Sequence, residues 1–487
     1  MTRNNQDNQF DLVVIGAGPG GYVAAARAAQ LGMKVACVDR EARLGGVCLN
    51  VGCIPSKALL DSSEYYAMAQ RTFAGHGILF KGLDFNLDTM MKRKDEVVRA
   101  LTDNVRKLLE GGKVTIICGT AKLLSNNQVG VRLSPDKSGD KSTGTSAKTA
   151  KERVLEAKNI LLATGSRPIE IKGMEFDGRY IVTSTEALAF DAVPKHLVVV
   201  GGGYIGLELG SLWSRLGAKV TIVEMMPTIA GTTDGQISRT LFRVLKNQGL
   251  DFKLQTKVLK TEVKKNMIRT TVMGDGDKKE ILECDRLLVA VGRQPLTDGL
   301  GLDTVGIALD SRGGVAVDES YRTSVKNIYA IGDLIEGPML AHKASAEGRA
   351  AVECMAGMAG AVNYDAMPAV VYTWPEVASV GLTEEQVKER SIPYCKGTYP
   401  FSGTGRARCM GETEGLVKIL AHAKTDRLLG VHIIGARAAD MIAEAVLAME
   451  AGASAEDISR VVHGHPTFAE ALQEAAMAIR ECSIYSS

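Results

Sequence analysis

The sequence predicts an α/β chain with two nested Rossmann-like dinucleotide-binding domains and a C-terminal α+β domain. Three observations carry this reading. A glycine-rich turn between an apolar run and a helical segment occurs twice, at Gly16 and at Gly201, and each time an acid stands 23 positions after the first glycine. Beyond about Gly357 the texture changes to short strands followed by helices with no further glycine motif, which suits an α+β unit. The composition agrees: 45% hydrophobic, 23% charged and 52 glycines in 487 residues fit a soluble, glycine-rich α/β protein.

The formal net charge of +2 gives no reason to expect a nucleic-acid or membrane partner. The most apolar run, Leu197 to Leu212, is broken by glycines and by Glu208, so no membrane span is expected. Nine cysteines, an odd number without a framework, suit a reducing compartment. Met1 to Gln9 is polar with one arginine, and reads as an untargeted tail. The expectation is a cytoplasmic protein.

Asp11 to Ile15 reads as a buried parallel strand. It runs into Gly16-Ala17-Gly18-Pro19-Gly20-Gly21, an Ala-rich helix from Tyr22 to Gln30, and a strand from Lys34 to Val38 that ends at Asp39. Gly16, Gly18 and Gly21 form G-x-G-x-x-G in its required context, where backbone and helix N-terminus approach a pyrophosphate and Asp39 accepts from a ribose hydroxyl. The unit recurs as Leu197 to Val200, Gly201, Gly203 and Gly206, a helix to Gly217, a strand from Lys219 to Val223, and Glu224. Two strand ends also echo each other: Leu162 to Pro168, with Thr164 and Gly165, and Val289 to Pro295, with Gly292.

Next to the first unit lies Leu44-Gly45-Gly46-Val47-Cys48-Leu49-Asn50-Val51-Gly52-Cys53-Ile54-Pro55-Ser56-Lys57. A regular helix carries residues five apart about 7.5 Å along its axis. A disulfide needs Cα atoms about 4.4–6.8 Å apart. If Cys48 and Cys53 pair, the backbone between them leaves the helical path, and Asn50 and Gly52 are residue types that tolerate this. The pair then reads as a redox dithiol that exchanges electrons with a bound cofactor. The plainer alternative is two buried thiols. Two dinucleotide units imply two dinucleotides, and beside a dithiol the natural pair is a tightly held flavin and a diffusible nicotinamide. Glu224 accepts from a 2′-hydroxyl and repels a 2′-phosphate, and Met225 and Met226 follow where arginine would suit NADP, so NAD is expected.

Ser134 to Lys151 is polar and aperiodic, and reads as a solvated, mobile loop. Val315 to Tyr321 and Asn327 to Ile331 look like strands; Asp333 after the second either reaches a polar ligand chain or caps the next segment. Further strands are expected at Val370 to Tyr372, Ser379 to Val380, Gly415 to Leu420 and Leu429 to Ile434, and helices at Ala438 to Ala451 and Thr467 to Arg480. His463-Gly464-His465-Pro466-Thr467-Phe468-Ala469-Glu470 is the second chemical stretch. His-x-His lacks a third metal ligand nearby, so no metal is expected. Thr467 and Glu470 fit a capping box. Alternatively Glu470 orients His465 as a general base.

These motifs together resemble the dihydrolipoamide dehydrogenase group of the flavin-dependent pyridine nucleotide–disulfide oxidoreductases, from Phe10 to about Arg480. Val47, Gly464 and the Ser134–Lys151 loop depart from the pattern without removing a chemical group. The resemblance implies an FAD domain (1–173, returning at 311–356), an NAD domain (174–310) and an interface domain (357–487) in a homodimer with active sites shared between subunits. It implies that dihydrolipoyl groups on lipoyl domains of acyltransferase or glycine cleavage components are oxidised through a Cys48–Cys53 disulfide and FAD to NAD+. Cys48 resembles the interchange thiol and Cys53 the thiol against the flavin. Lys57 and Glu208 resemble an ion pair beside the flavin, and Asp39, Asp333, Thr164, Gly165 and Ala341 its ligands. His465 and Glu470 resemble a base dyad acting on the other subunit. Among rivals, an NADPH-driven glutathione-type reductase conflicts with Glu224, a mercuric reductase would want a C-terminal cysteine pair where Cys482 stands alone, and a non-catalytic scaffold would not need Cys48, Cys53 and His465.

Overall fold

The computed structural model describes residues 6–135 and 151–480. The chain divides into two compact units, one of Met1–Pro55, Arg93–Ile169 and Arg293–Val362, the other of Ser56–Lys92, Glu170–Gly292 and Asn363–Ser487. The expected Ser134–Lys151 loop lies almost wholly outside the described residues, as does Cys482. Among the described residues no helix is long and apolar enough to cross a membrane.

In the first unit, the apolar run around Leu12, Val13 and Val14, each fully buried, forms the strand Gln9–Ile15. It sits mid-sheet because both of its faces are apolar. The parallel order is Thr115–Leu123, Val35–Asp39, Gln9–Ile15, Glu152–Leu162, Ile328–Ala330. The strand order reverses beside Gln9–Ile15, and that crevice is where such sheets take ligands. Thr115–Leu123 and Glu152–Leu162 run on past the parallel sheet and are bridged there by the antiparallel strand Gln128–Leu133. The stretch Val315 to Tyr321 is not a strand. The Asp318 carboxylate accepts the N–H groups of Ser320 and Arg322, and Tyr321 takes φ +65°, so the chain turns where hydrophobicity suggested extension.

The second unit holds a parallel sheet ordered Asp251–Lys253, Lys219–Val223, His196–Val200, Arg286–Val289, Ile181–Val182. It also holds an antiparallel sheet ordered Ala369–Val371, Glu376–Gly381, Leu428–Gly435, Leu416–His422, Tyr394–Pro400. Val417, Ile419, Val431 and Ile433 on the latter share a core with Ala445, Leu472 and Ala475 of the helices Ala438–Glu450 and Glu470–Ala478. The last helix starts three residues later than expected, because Thr467 and Glu470 are engaged in the turn that precedes it. Many elements escaped the sequence reading, and two of them show why. The helix Ala455–Arg460 is set by a capping box between Ser454 and Asp457. Tyr394–Pro400 is a polar edge strand whose Gly397 admits the neighbouring helix: a Cβ there would lie 1.9 Å from the Ala475 carbonyl oxygen.

Candidate active site

Both glycine turns build the same cradle. Gly16 and Gly201 take φ +103° and +111°, and a Cβ on either would strike the carbonyl oxygen of Ala163 or Ala290 at 2.3 and 2.4 Å. Those alanines belong to the two strand ends that echo each other in sequence. A Cβ on Gly21 or Gly206 would collide with the Gly16 or Gly201 carbonyl. By contrast, a Cβ on Gly203 would meet nothing within 4 Å, and on Gly18 only Gly46 Cα at 3.9 Å. The middle glycine of each cradle thus faces space that a pyrophosphate fits, in front of the helices Pro19–Gln30 and Tyr204–Arg215. The acids complete the repeat. Asp39 Oδ2 accepts the Ala17 N–H at 2.7 Å and Glu224 Oε2 accepts the Gly202 N–H at 2.6 Å. Burial raises the Asp39 carboxyl above its usual range, although the Glu41 and Ala17 N–H groups oppose this. Glu224 also accepts from the Met226 N–H, and Met225 and Met226 are exposed beyond it.

Cys48 lies in the short helix Gly46–Val51 and Cys53 opens the helix Cys53–Arg71. Between them Gly52 breaks the helical path at φ −132°, ψ −114°. A Cβ on Gly52 would lie 2.9 Å from the Val47 carbonyl oxygen and 3.2 Å from Cys48 Cα, so only glycine lets the chain fold back over Cys48. Asn50 plays a different part from the one expected. It stays helical, and its Nδ2 donates to the carbonyls of Leu44 and Gly46, pinning the turn before the cysteines. The first-turn N–H groups of the Cys53 helix favour negative charge at its start. Beside the pair is an apolar cleft of about 290 Å³, lined by Tyr22, Leu49, Ile54, Leu101, Val105 and Leu108, with Asn104 as a polar group.

In the same unit Thr164 Oγ1 donates to the Leu296 carbonyl at 2.7 Å, and Gly165 (φ +74°) turns the chain. The echoing segments then pair antiparallel, Ser166–Pro168 against Arg293–Pro295. That pairing delivers a group the sequence reading missed. Arg293 Nε donates to Ser166 Oγ at 2.7 Å, and Ser166 Oγ donates to Asp333. Burial lowers the Arg293 pKa, while Asp333 and Cys53 act against the shift, which places the guanidinium in the field of both. Gly292, just before it, takes φ +134°. Ala341 is the first residue of the helix Ala341–Met355.

In the second unit Lys57 Nζ lies 2.6 Å from Glu208 Oε2, and Glu208 Oε1 accepts the Tyr372 N–H at 3.0 Å. The Lys57 ammonium also lies 4.5 Å from the Tyr372 ring centroid. The sequence suggests only a strand at Tyr372.

His465 Nδ1 lies 2.8 Å from Glu470 Oε1, while Glu470 Oε2 accepts the Thr467 N–H at 2.7 Å. The expected capping box is not formed: Glu470 reaches the Thr467 N–H, but the helix is capped at Ala469 without a side-chain bond. Thr467 Oγ1 turns instead to the Gly464 carbonyl. Burial alone would raise the Glu470 carboxyl, but the His465 ring and the Thr467 N–H hold it below its ordinary value. An ionised Glu470 takes the Nδ1–H and leaves Nε2 of a neutral ring as the basic nitrogen. The His465 side chain is 78% exposed, and the His465–Pro466 peptide is cis. His463 goes elsewhere, to Glu444 at 2.8 Å. Among the described residues no group of three or more His, Cys, Asp or Glu could hold a metal ion.

Two dinucleotide cradles, a dithiol next to one of them and a His–Glu dyad define a dinucleotide-dependent dithiol/disulfide oxidoreductase. Residues 10–348 match the pyridine nucleotide-disulphide oxidoreductase model and residues 367–476 that family's dimerisation domain. The chain belongs to the pyridine nucleotide-disulphide oxidoreductase family. It is 50% identical over 481 residues to the mitochondrial dihydrolipoyl dehydrogenase of Caenorhabditis elegans, covering 98% of this chain and 94% of that protein. It is 48% identical over 472 residues to a leghemoglobin reductase of Glycine max, covering 97% and 88%. Among solved structures, LpdA of Mycobacterium tuberculosis superposes with a TM-score of 0.85 at 25% identity, covering 96% and 98%. The HOCl-induced flavoprotein disulfide reductase RclA of Escherichia coli does so with a TM-score of 0.81 at 28% identity, covering 96% and 99%.

Proposed function

We propose that the chain is a dihydrolipoyl dehydrogenase: it oxidises protein-bound dihydrolipoyl groups to the cyclic disulfide and passes the electron pair through Cys48, Cys53 and FAD to NAD+. The observation that carries this is the cysteine pair folded together at Gly52, in the unit that also holds the first cradle. The apolar cleft beside Cys48 and Cys53 suits the aliphatic arm of a lipoyl group, whose only polar demand is at its ends. The first cradle, with Asp39, Thr164, Gly165, Asp333 and Ala341, suits FAD. The second, with Glu224 beside Gly202, suits the ribose of NAD. The proposed domains are FAD-binding residues 1–173 and 311–356, NAD-binding residues 174–310 and an interface domain at 357–487.

The resting protein carries a Cys48–Cys53 disulfide. His465 Nε2 takes a proton from one substrate thiol, because only a thiolate attacks a disulfide. The thiolate bonds to Cys48 Sγ as the Cys48–Cys53 bond breaks, and Cys53 leaves as a thiolate. The second substrate thiol, deprotonated in turn, attacks the substrate sulfur of the mixed disulfide; the lipoyl ring closes and Cys48 is released. Two electrons then reside on the dithiol, and two protons have left the substrate. Asp39, Thr164, Gly165, Asp333 and Ala341 would hold FAD, which would supply the two-electron acceptor between the dithiol and NAD+. Lys57 and Glu208 place a paired charge for that transfer. The exposed His465 ring reaches the cysteines of the other subunit in a homodimer, and lipoyl domains of 2-oxoacid dehydrogenase or glycine cleavage complexes are the substrates.

The test is NADH formation from NAD+ and dihydrolipoamide by yellow, flavin-loaded protein, with a long-wavelength band on partial reduction. Flavin-loaded protein that forms no NADH overturns the proposal. Mass spectrometry of air-oxidised protein should find Cys48 bridged to Cys53 alone; either cysteine bridged elsewhere removes the disulfide step.

A further inference from the structure

The helix Ala341–Met355 carries Lys343 and Glu347 one turn apart, both at 0% exposure. Lys343 Nζ lies 2.9 Å from Glu347 Oε1. Each also grips a third party. Glu347 Oε2 accepts the Gly332 N–H at 2.7 Å, and Lys343 Nζ donates to the Gly332 carbonyl at 3.2 Å. One buried ion pair thus holds both backbone polar groups of a single residue. Gly332 takes φ +71° and opens the turn Gly332–Leu334 that carries Asp333. Asp333 is held from the other side by Ser166, which Arg293 orients.

Stability does not account for this pair. Burying two opposite charges costs as much as their attraction returns, and an apolar pair of similar volume commonly serves a core equally well. What an apolar pair would not supply is a fixed hold on the Gly332 peptide groups. The Gly332 N–H is turned to the helix Ala341–Met355, where Glu347 takes it.

We propose that Lys343 and Glu347 are positioning residues for the flavin: they lock the Gly332 turn so that Asp333 presents its carboxylate to the polar chain of FAD. This rests on the reading of the first unit as FAD-binding. Neither side chain touches the ligand; both act through Gly332 and Asp333.

The experiment uses the full-length chain, stripped of flavin and reconstituted with FAD, with affinity read from flavin fluorescence and folding from the Tm of the apoprotein. Lys343→Met with Glu347→Leu should give an apoprotein that still folds but binds FAD about 10- to 100-fold more weakly, the loss of hydrogen bonds to charged groups. Exchanging the charges, Lys343→Glu with Glu347→Lys, keeps an ion pair but turns a cation on the N–H and an anion on the carbonyl, and should weaken FAD at least as much. Coupling to Asp333 is the readout that a merely structural role does not move. Asp333→Asn added to any clamp variant, including the shape-conserving Glu347→Gln should the others not fold, should cost little further affinity. Full additivity overturns the proposal, as does wild-type FAD affinity in the folded apolar pair. A wild-type chain that takes up no FAD overturns the flavin reading itself, and the clamp proposal with it.

Discussion

Under the proposed function, single residues govern the proton and the cofactor. His465 has one ring nitrogen committed to Glu470 at 2.8 Å and the other left basic. General acid–base groups contribute about 10²- to 10⁴-fold, so His465→Gln should cost that much in dihydrolipoamide turnover. It should spare hydride exchange between NADH and dyes, which needs no thiol deprotonation. Equal losses in both assays would make His465 structural. Glu224 closes its cradle through the Gly202 N–H, and under the proposed function its carboxylate meets the ribose of NAD and repels a 2′-phosphate. Glu224→Ala with Met225→Arg should narrow the preference for NAD over NADP by raising kcat/KM for NADP. Wild-type protein equally active with both cofactors would remove the argument.

At the scale of elements, two helices are tied by two ion pairs of opposite polarity. Lys57–Glu208 at 2.6 Å and Glu64–Arg215 at 2.9 Å join the helices Cys53–Arg71 and Tyr204–Arg215. Lys57 to Glu64 and Glu208 to Arg215 are each seven residues, about two helical turns, so the helices run in the same direction along the contact. Burial pushes the Glu64 carboxyl up to about 7, and Arg215 does not cancel it; Glu412, Arg71 and Asp61 are the other charges that act on it. Burial lowers the Arg215 pKa too, so both members are shifted towards their neutral forms. A carboxyl whose folded pKa is raised contributes stability below its ordinary pKa of 4.5 and loses it as pH rises through about 7. The Tm of wild type minus that of Glu64→Gln should therefore fall between pH 4.5 and 7 and level off on either side. A difference that does not vary with pH would show that Glu64 keeps an ordinary pKa.

The whole molecule raises the question of which subunit a base serves. His465 belongs to one compact unit and the cysteines to the other, the ring is exposed, and the match to a dimerisation domain covers residues 367–476. A subunit with Cys48→Ser mixed with one with His465→Gln should restore one complete site per heterodimer and recover about half of wild-type turnover, if sites in the dimer act independently. A verified heterodimer with no recovered turnover would mean that each site is built within one chain.

By itself the sequence determined what is local. The two cradles were legible because their demands fall within one βαβ unit: a positive φ at Gly16 and Gly201, close approach at Gly21 and Gly206, an acid at the next strand end. His465 and Glu470 were legible because they stand five positions apart, and the Cys48–Cys53 spacing, if the two pair, announced a break in the helix, though not that Gly52 alone would make it while Asn50 braced the turn. The tertiary structure decided everything that depends on partners distant in sequence. It brought Glu208 to Lys57 and Tyr372, Arg293 to Ser166 and Asp333, and the Ala475 carbonyl against Gly397, which turned an unremarkable polar stretch into an edge strand. Periodicity and turn chemistry report which backbone path a segment prefers over a few residues. Hydrogen bonds and ion pairs act over a few ångströms, and which groups come that close is set by how the elements pack.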